Sequence, residues 1–245
     1  MKKIIASLAI VICIFSIYII FESNKAVDVL LVGDLIGFQI SSEKNNEEKE
    51  IIPTSYNSIG TMSFIKKDTD EFVALGHRSS TENSKTSINS ECYAVKLKCI
   101  NKSNDISIGA TIGEINKDKK IGSILEDTNY GILGKAENIN KDDCLEVQAV
   151  SRYKVKKGKA NILTKISSDK LESFDVEITS INYLDDNMNI EIEIKDENLI
   201  SKTGGIIQGM SGTPLMQAGK LIGILNFAES KNSKRGYAIF VDKFI

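Results

Sequence analysis

The stretch 204–215, GGIIQGMSGTPL, places one serine, Ser211, in a glycine-rich run between two apolar segments. Glycine adopts backbone angles that other residues avoid, and it lets other groups approach the main chain closely. A tight turn that directs a serine hydroxyl and several backbone N–H groups at one point needs both properties. Nucleophilic serine enzymes use such a turn to bind the oxyanion. On this stretch alone, a glycine-rich hairpin in which Ser211 only caps a turn is the alternative interpretation.

Length, charge and composition limit the classes of protein to consider. The 245 residues are enough for one sizeable domain or two small ones. The formal net charge is −2, with 31 basic and 33 acidic residues. The chain therefore lacks the excess of basic residues that is typical of proteins that bind nucleic acid. Isoleucine, valine and threonine are frequent, and from residue 51 onward short apolar runs alternate with turn signals. This pattern predicts an all-β fold, either a barrel or a sandwich.

The N-terminus has the pattern of a membrane anchor. After Lys2 and Lys3, residues 4–21 are uncharged and mostly apolar, close to the roughly 20 residues that cross a bilayer as a helix. No small-x-small cleavage site follows, so we expect an uncleaved single-pass anchor, with a cleaved signal peptide as the alternative. The two lysines favour a cytoplasmic N-terminus and an extracytoplasmic remainder.

The region after the anchor contains a strand pattern followed by a charged run. The segment Val27–Ile40, VDVLLVGDLIGFQI, predicts one or two short strands interrupted by Gly33 and Gly37. The run SSEKNNEEKE is polar and mostly charged, which predicts an exposed linker. The expected organisation is an anchor at 1–25, a strand segment and linker at 26–50, and the main domain at 51–245.

Three of the four cysteines, Cys92, Cys99 and Cys144, lie beyond the expected anchor. The chain has no CxxC pair and its only histidine is distant, so we expect no structural zinc site and no other cofactor. One disulfide with one free thiol, in any of three pairings, and simple buried thiols remain as alternatives.

The single histidine, His77, constrains the chemistry open to Ser211. If Ser211 is a nucleophile with a histidine base, the base is His77 and precedes the serine. This order excludes the α/β-hydrolase arrangement, whose G-x-S-x-G elbow is also broken by Thr213. The subtilisin order fits, but that fold requires helices that this pattern lacks. The trypsin-like order on a double β-barrel remains, with the N–H groups of Gly209 and Ser211 as the oxyanion hole.

These residues resemble the stage IV sporulation protein B (SpoIVB) peptidases, which are serine peptidases of the trypsin-like clan. The resemblance covers about residues 51–245. It is carried by SIGTMSFI with FVALGH, by YGILG and KLESFDVEI, and by KDENLISKTGGIIQGMSGTPLMQAGKLIGIL with GYAIFV. The resemblance implies a trypsin-like double β-barrel peptidase domain, preceded here by one N-terminal transmembrane helix.

The resemblance also implies the catalytic residues. The histidine of the family falls on His77, its serine on Ser211 and its triad acid on Asp196. Trypsin-like enzymes usually place this acid much further upstream of the serine than Asp196 is. Asp105 and Asp127 therefore remain alternative acids.

The activity implied by the resemblance is that of a membrane-anchored serine endopeptidase of sporulation. Its partners would be the membrane and a membrane-bound regulatory protein in the space between the two forespore membranes. Cleavage of that regulator would let an intramembrane protease activate a late sigma factor. Similar family members carry a PDZ domain where this chain has only residues 41–50. That difference, together with Thr213 in place of the more familiar serine, keeps a non-catalytic anchored scaffold as the rival hypothesis.

Overall fold

The computed structural model describes residues 26–40, 56–75, 87–166 and 170–245, together with Ile12. The rest of the expected anchor, the charged linker and His77 lie outside the described residues. In the ranges that are described, no helix has both the length and the apolar character needed to cross a membrane.

The described part of the chain is almost entirely β-structure, which confirms the all-β prediction. Its strands are β1 (Val27–Ile40), β2 (Tyr56–Lys66), β3 (Glu71–Ala74), β4 (Ser87–Asn101), β5 (Ala110–Thr128), β6 (Gly131–Ala136), β7 (Leu145–Ala149), β8 (Gly158–Thr164), β9 (Glu172–Ile181), β10 (Ile190–Ile194), β11 (Pro214–Gln217), β12 (Lys220–Glu229) and β13 (Asn232–Phe240). One short helix, α1 (Glu197–Thr203), lies between β10 and β11.

Six antiparallel strands form a first closed ring in the order β1-β2-β3-β6-β5-β4, and a pairing of β1 with β4 closes it. Strand β1 is bent by a bulge at Gly33, whose φ of 65° favours glycine. Because of this bend, the first half of β1 pairs with β7 and the second half pairs with β4. Gly37 lies in regular pairing opposite Ile59, so β1 is one bent strand and is not interrupted there.

A second closed ring has the order β11-β8-β9-β10-β13-β12, with β11 also paired to β12. Strands β9 and β10 of this ring alternate between buried and more exposed residues. In β10, for example, Ile190, Ile192 and Ile194 are buried while the intervening glutamates are partly exposed. Strand β7 connects the rings, since it pairs in parallel with β12 and antiparallel with β1.

Each ring has its own apolar core, and a third cluster joins the two rings. This joining cluster contains Leu31 and Phe64 from the first ring and Ile224 and Ile239 from the second. All four side chains are fully buried. Burial of apolar side chains at this contact, at roughly 1.5–3 kcal/mol for each, holds the rings against each other and fixes the cleft where the candidate site lies.

Candidate active site

Ser211 lies in the turn that leads from helix α1 into β11. Gly209 and Gly212, on either side of it, have φ values of 99° and 101°, which other residues rarely adopt. A methyl group on Gly212 would lie 2.0 Å from the carbonyl oxygen of Thr61, and one on Gly209 would lie 2.9 Å from the side chain of Thr111. The glycines on both sides of Ser211 are therefore required by backbone angle and by close packing.

The two peptide planes that carry the candidate oxyanion donors are fixed by hydrogen bonds to their carbonyls. The N–H of Thr111 donates to the carbonyl of Gln208 at 2.8 Å, and the N–H of Thr213 donates to that of Met210 at 3.0 Å. In a trans peptide the carbonyl and the following N–H point in opposite directions. The N–H groups of Gly209 and Ser211 therefore point away from these partners in set directions, as a preorganised oxyanion hole requires.

Thr61 on β2 connects the serine turn to the end of β3. Its N–H donates to the carbonyl of Ser211 at 2.8 Å, and its own carbonyl accepts the N–H of Leu75 at 3.2 Å. Its hydroxyl donates to the carbonyl of Gly209 at 2.8 Å. Thr61 is fully buried, so these bonds are shielded from water. His77 follows Leu75 by two residues in the sequence.

A cavity of about 420 Å³ opens beside Ser211. Its walls include the apolar side chains of Leu75, Ile206, Ile207 and Phe227. No charged side chain belongs to the described residues that line it. The site can therefore receive an apolar side chain next to a serine hydroxyl and two oriented N–H groups.

Comparison with known protein families assigns the chain to one of them. A profile described as SpoIVB peptidase S55 matches residues 51–245, which is most of the chain. The chain belongs to the SpoIVB peptidase family. It is a serine endopeptidase, and the family resemblance noted in the sequence is confirmed. No curated protein matches the sequence.

Among the solved structures that match this chain are two proteins. The active form of the Rv3671c protease from M. tuberculosis has a TM-score of 0.44 and 13% identity, over 86% of this chain and 77% of that chain. Human heparin binding protein has a TM-score of 0.40 and 12% identity, over 87% of this chain and 88% of that chain.

A loop that sequence reasoning missed forms hydrogen bonds with the segment just before the serine turn of this SpoIVB-family peptidase. It is the connection between β4 and β5, in which the buried Ser103 accepts the N–H of Gly109 at 2.8 Å and donates to the carbonyl of Ile206 at 3.1 Å. The N–H of Gln208 also donates to the carbonyl of Gly109 at 2.8 Å. The sequence provides only a weak indication of this contact, because serine and glycine in a polar loop are typical of any turn.

The three candidate acids of the peptidase have different surroundings. Asp196 is the N-cap of α1, where one carboxylate oxygen accepts the N–H of Leu199 at 3.0 Å and the other accepts that of Asp175 at 3.3 Å. Asp105 is exposed in the β4–β5 loop. Asp127 is buried near the end of β5. The structure places Ser211, Gly209 and Leu75 around one cavity, and none of the three acids is among the residues that line it.

All three cysteines beyond the expected anchor are free thiols. Cys92 is fully buried on β4, Cys144 is half-buried and Cys99 is exposed. Burial raises the pKa of the Cys92 thiol to about 12. Of the two alternatives, a disulfide or simple thiols, the structure therefore shows simple thiols at these three positions, and one of them is deeply buried.

Proposed function

We propose that this SpoIVB-family peptidase is a membrane-anchored endopeptidase of sporulation signalling. Its substrate is a membrane-bound regulatory protein, and cleavage leads to activation of a late sigma factor. The proposal is supported by membership of the family and by the anchor pattern of residues 4–21. The same pattern supports an extracytoplasmic peptidase domain, and membership of the family supports the space between the forespore membranes as its location.

The proposed chemistry is acyl transfer to Ser211. The hydroxyl oxygen of Ser211 attacks the peptide carbonyl while His77 takes its proton, and His77 then gives that proton to the leaving amine. The N–H groups of Gly209 and Ser211 receive the oxyanion, and water releases the acyl group in a second step. The observation that carries this proposal is the Thr61 connection, which joins Ser211 and Gly209 to the segment that leads into His77.

The cavity indicates the class of side chain that the enzyme accepts beside the scissile bond. Its lining of Ile206, Ile207 and Phe227 offers apolar contact and no counter-ion for a charged side chain. A charged group moved from water into such a site without a partner loses free energy. The substrate residue held there is therefore apolar.

A covalent serine probe tests the enzyme hypothesis against the scaffold hypothesis. A fluorophosphonate should label the wild-type protein and should not label Ser211→Ala. Ser107→Ala, which changes an exposed loop serine, is the matched control and should label like the wild type. A folded wild-type protein that does not label would support the non-catalytic scaffold.

Membrane attachment and the substrate require separate experiments in cells. The full chain should remain with membranes after a high-salt wash and should begin at or near Met1, because apolar burial retains an anchor. A soluble form that begins near residue 25 would indicate a cleaved signal peptide. A membrane protein that is shortened with the wild type and intact with Ser211→Ala identifies the substrate.

A further inference from the structure

One face of the second ring combines exposed aromatic side chains with lysines. It is formed by the turn after β7 (residues 150–157), the loop between β9 and β10 (residues 182–189) and the turn after β13 (residues 241–243). The rings of Tyr153 and Tyr183 stack with their centroids 6.3 Å apart, and Tyr183 stacks on Phe240 at 5.5 Å. These contacts join the three segments into one surface, the basic aromatic surface.

The apolar part of the basic aromatic surface is open to solvent. Leu184 is 96% exposed and Tyr153 is 68% exposed, and the neighbouring Tyr183 and Met188 are exposed as well. A side chain as exposed as Leu184 buries almost no area, so folding does not require it to be apolar. Large apolar side chains that are grouped on a surface mark a contact with a partner or a membrane.

Arg152 holds the aromatic rings of this surface in place. Its Nη2 donates to Oδ1 of Asp242 at 2.7 Å and its Nε donates to Oδ2 at 3.0 Å, so the pair is bidentate. The guanidinium carbon lies 5.1 Å from the centroid of the Phe240 ring, on which Tyr183 stacks. The surface is therefore preorganised, which lowers the side-chain entropy lost when it binds.

The turn after β7 gives the surface its positive charge. Residues 152–157, RYKVKK, contain four basic residues and no acidic one. The charge of Arg152 is paired with Asp242. The other three side chains are exposed and form no ion pair with a described residue; they are Lys154, Lys156 and Lys157.

The acidic residues of the β9–β10 loop do not neutralise these lysines. Oδ1 of Asp185 accepts the backbone N–H groups of Asn187 at 2.8 Å and of Met188 at 2.7 Å. A carboxylate oxygen of Asp186 lies 3.8 Å from Nζ of Lys243. These carboxylates have partners of their own, so the three lysines remain available to an anionic partner.

Strand register places the basic aromatic surface where the chain enters the domain. Strand β1 begins at Val27, which pairs with Ala149 at the end of the antiparallel β7. The chain continues beyond Ala149, past the start of β1, and reaches Tyr153 four residues later. Ala26, the residue before β1, packs against the core cluster that contains Val150. The surface therefore adjoins the point at which the preceding residues join the domain.

The expected membrane anchor ends close to this point in the sequence. The anchor pattern of residues 4–21 lies outside the described residues, and only residues 22–26 separate it from β1. A fully extended connection of that length spans at most about 20 Å. An anchored domain is therefore confined beside the bilayer, on the side of the basic aromatic surface. Confinement keeps the effective concentration of lipid headgroups high, so a weak contact is sufficient.

We propose that the basic aromatic surface docks on the anionic lipid headgroups of the membrane that holds the anchor. The three lysines approach the lipid phosphates, and Tyr153 and Leu184 enter the interfacial layer, where tyrosine is enriched in membrane proteins. Each lysine near an anionic surface strengthens the association by about fivefold. The contact fixes the orientation of the active-site cleft relative to the bilayer. This inference rests on the anchor and the membrane-bound substrate of the proposed function.

Tryptophan fluorescence tests the contact, because the chain has no tryptophan of its own. Full-length Leu184→Trp is reconstituted in nanodiscs of phosphatidylcholine and phosphatidylglycerol that contain brominated lipids as quenchers. We expect its single tryptophan to be strongly quenched, and quenching to weaken in phosphatidylcholine alone or at high salt. Full-length Ile106→Trp is the matched control, since Ile106 is 93% exposed, and its tryptophan should remain unquenched.

The control position lies at the other end of the second ring. Ile106 belongs to the β4–β5 loop, in which Ser103 donates to the carbonyl of Ile206. The N–H of Ile206 donates to the carbonyl of Ser233, near the start of β13, whereas the basic aromatic surface includes Phe240 at the end of β13. This length of strand is roughly 23 Å. The same anchor therefore holds both tryptophan positions, and docking brings only one of them to the lipid.

Charge reversal tests the role of the lysines. In the Leu184→Trp background, Lys154→Glu with Lys157→Glu should abolish most of the quenching that depends on phosphatidylglycerol. Lys117→Glu with Lys119→Glu makes the same change of charge at exposed positions on β5 and should leave the quenching intact. Cleavage of a soluble peptide should be unchanged in both double variants, because none of these lysines lines the cavity beside Ser211.

Hydrogen exchange of the wild type in the same nanodiscs provides a measurement without substitutions. The backbone amides of residues 183–188 should exchange more slowly with phosphatidylglycerol than without it. A chain that does not enter nanodiscs would contradict the proposed anchor and overturn this inference with it. A chain that enters them but shows equal quenching in Leu184→Trp and Ile106→Trp would overturn the inference alone. Slower exchange of these amides with an acidic peptide, and not with phosphatidylglycerol, would also overturn it and indicate a protein partner.

Discussion

The backbone N–H of Thr61 donates to the carbonyl of Ser211 at 2.8 Å, and this bond joins the two rings at the candidate active site. Thr61 belongs to β2 of the first ring, whereas Ser211 precedes β11 of the second. The same threonine accepts from Leu75 and donates its hydroxyl to Gly209. One buried residue thus sets the distance between the segment of the proposed base and the turn of the proposed nucleophile.

Replacement of Thr61 by valine should separate its side-chain role from its backbone role. Thr61→Val retains shape but leaves the carbonyl of Gly209 without its hydroxyl donor, which costs about 1–3 kcal/mol of unfolding free energy. We expect kcat to fall by about tenfold, because small displacements of catalytic groups reduce the rate steeply. Urea unfolding and peptide cleavage measure both effects. Thr61→Ser, which retains the hydroxyl, is the control, and equal kcat in the two variants would contradict this role.

His77 and Ser211 should behave as one catalytic unit. Each single alanine variant removes the same chemical step, so His77→Ala with Ser211→Ala should be scarcely slower than either variant alone. The measurement is kcat/KM for the two single variants and the double variant, with circular dichroism to confirm folding. Losses that multiply would show that the two residues act independently.

The cavity beside Ser211 predicts a preference for apolar side chains before the scissile bond. We expect peptides with leucine there to exceed peptides with lysine in kcat/KM by on the order of 10²-fold, because the charge lacks a partner in the site. Ala228→Asp places a carboxylate in the cavity wall and should shift the preference toward lysine. Ala218→Asp, in the β11–β12 turn, is the matched control. An unchanged ratio of leucine to lysine cleavage in Ala228→Asp would contradict the assignment of this cavity.

The strands that carry a clear apolar pattern could be predicted from sequence, and those set by long-range contacts could not. Strand β10 has alternating apolar residues and β12 has a continuous apolar run, whereas β11 is a four-residue strand that begins at Pro214. Helix α1 is too short to show a 3.6-residue period. The closure of the first ring by β1 depends on register with β2, β4 and β7, which no local pattern encodes.

In the candidate site, too, residues with a local sequence signature could be predicted, and residues that act through long-range contacts could not. The glycines beside Ser211 could be interpreted because a tight turn has a local sequence signature. Thr61 could not be found, since two of its three bonds use backbone atoms that every residue has. Asp127 was one of three candidate acids in the sequence, and no local pattern showed that it is the buried one, in register with Ile132.

The buried thiol of Cys92 should make stability depend on alkaline pH. Burial raises its pKa to about 12 from its ordinary value of 9.0. Between these values the unfolded chain releases the thiol proton while the folded chain retains it, so the unfolded state binds fewer protons. The free energy of unfolding therefore falls as pH rises from about 9 toward 12, by up to about 1.4 kcal/mol per pH unit for this one group.

Comparison of variants isolates this contribution from that of other groups that titrate at alkaline pH. Urea unfolding at several pH values should give a steeper decline for wild type than for Cys92→Ala, which has no thiol to ionise. Cys99→Ala is the control, because the side chain of Cys99 is exposed, and it should decline like the wild type. In native protein at pH 8, a thiol reagent should modify Cys99 rapidly and reach Cys92 only through unfolding. Rapid modification of Cys92, or equal slopes for wild type and Cys92→Ala, would show that the interior of the first ring is open to solvent.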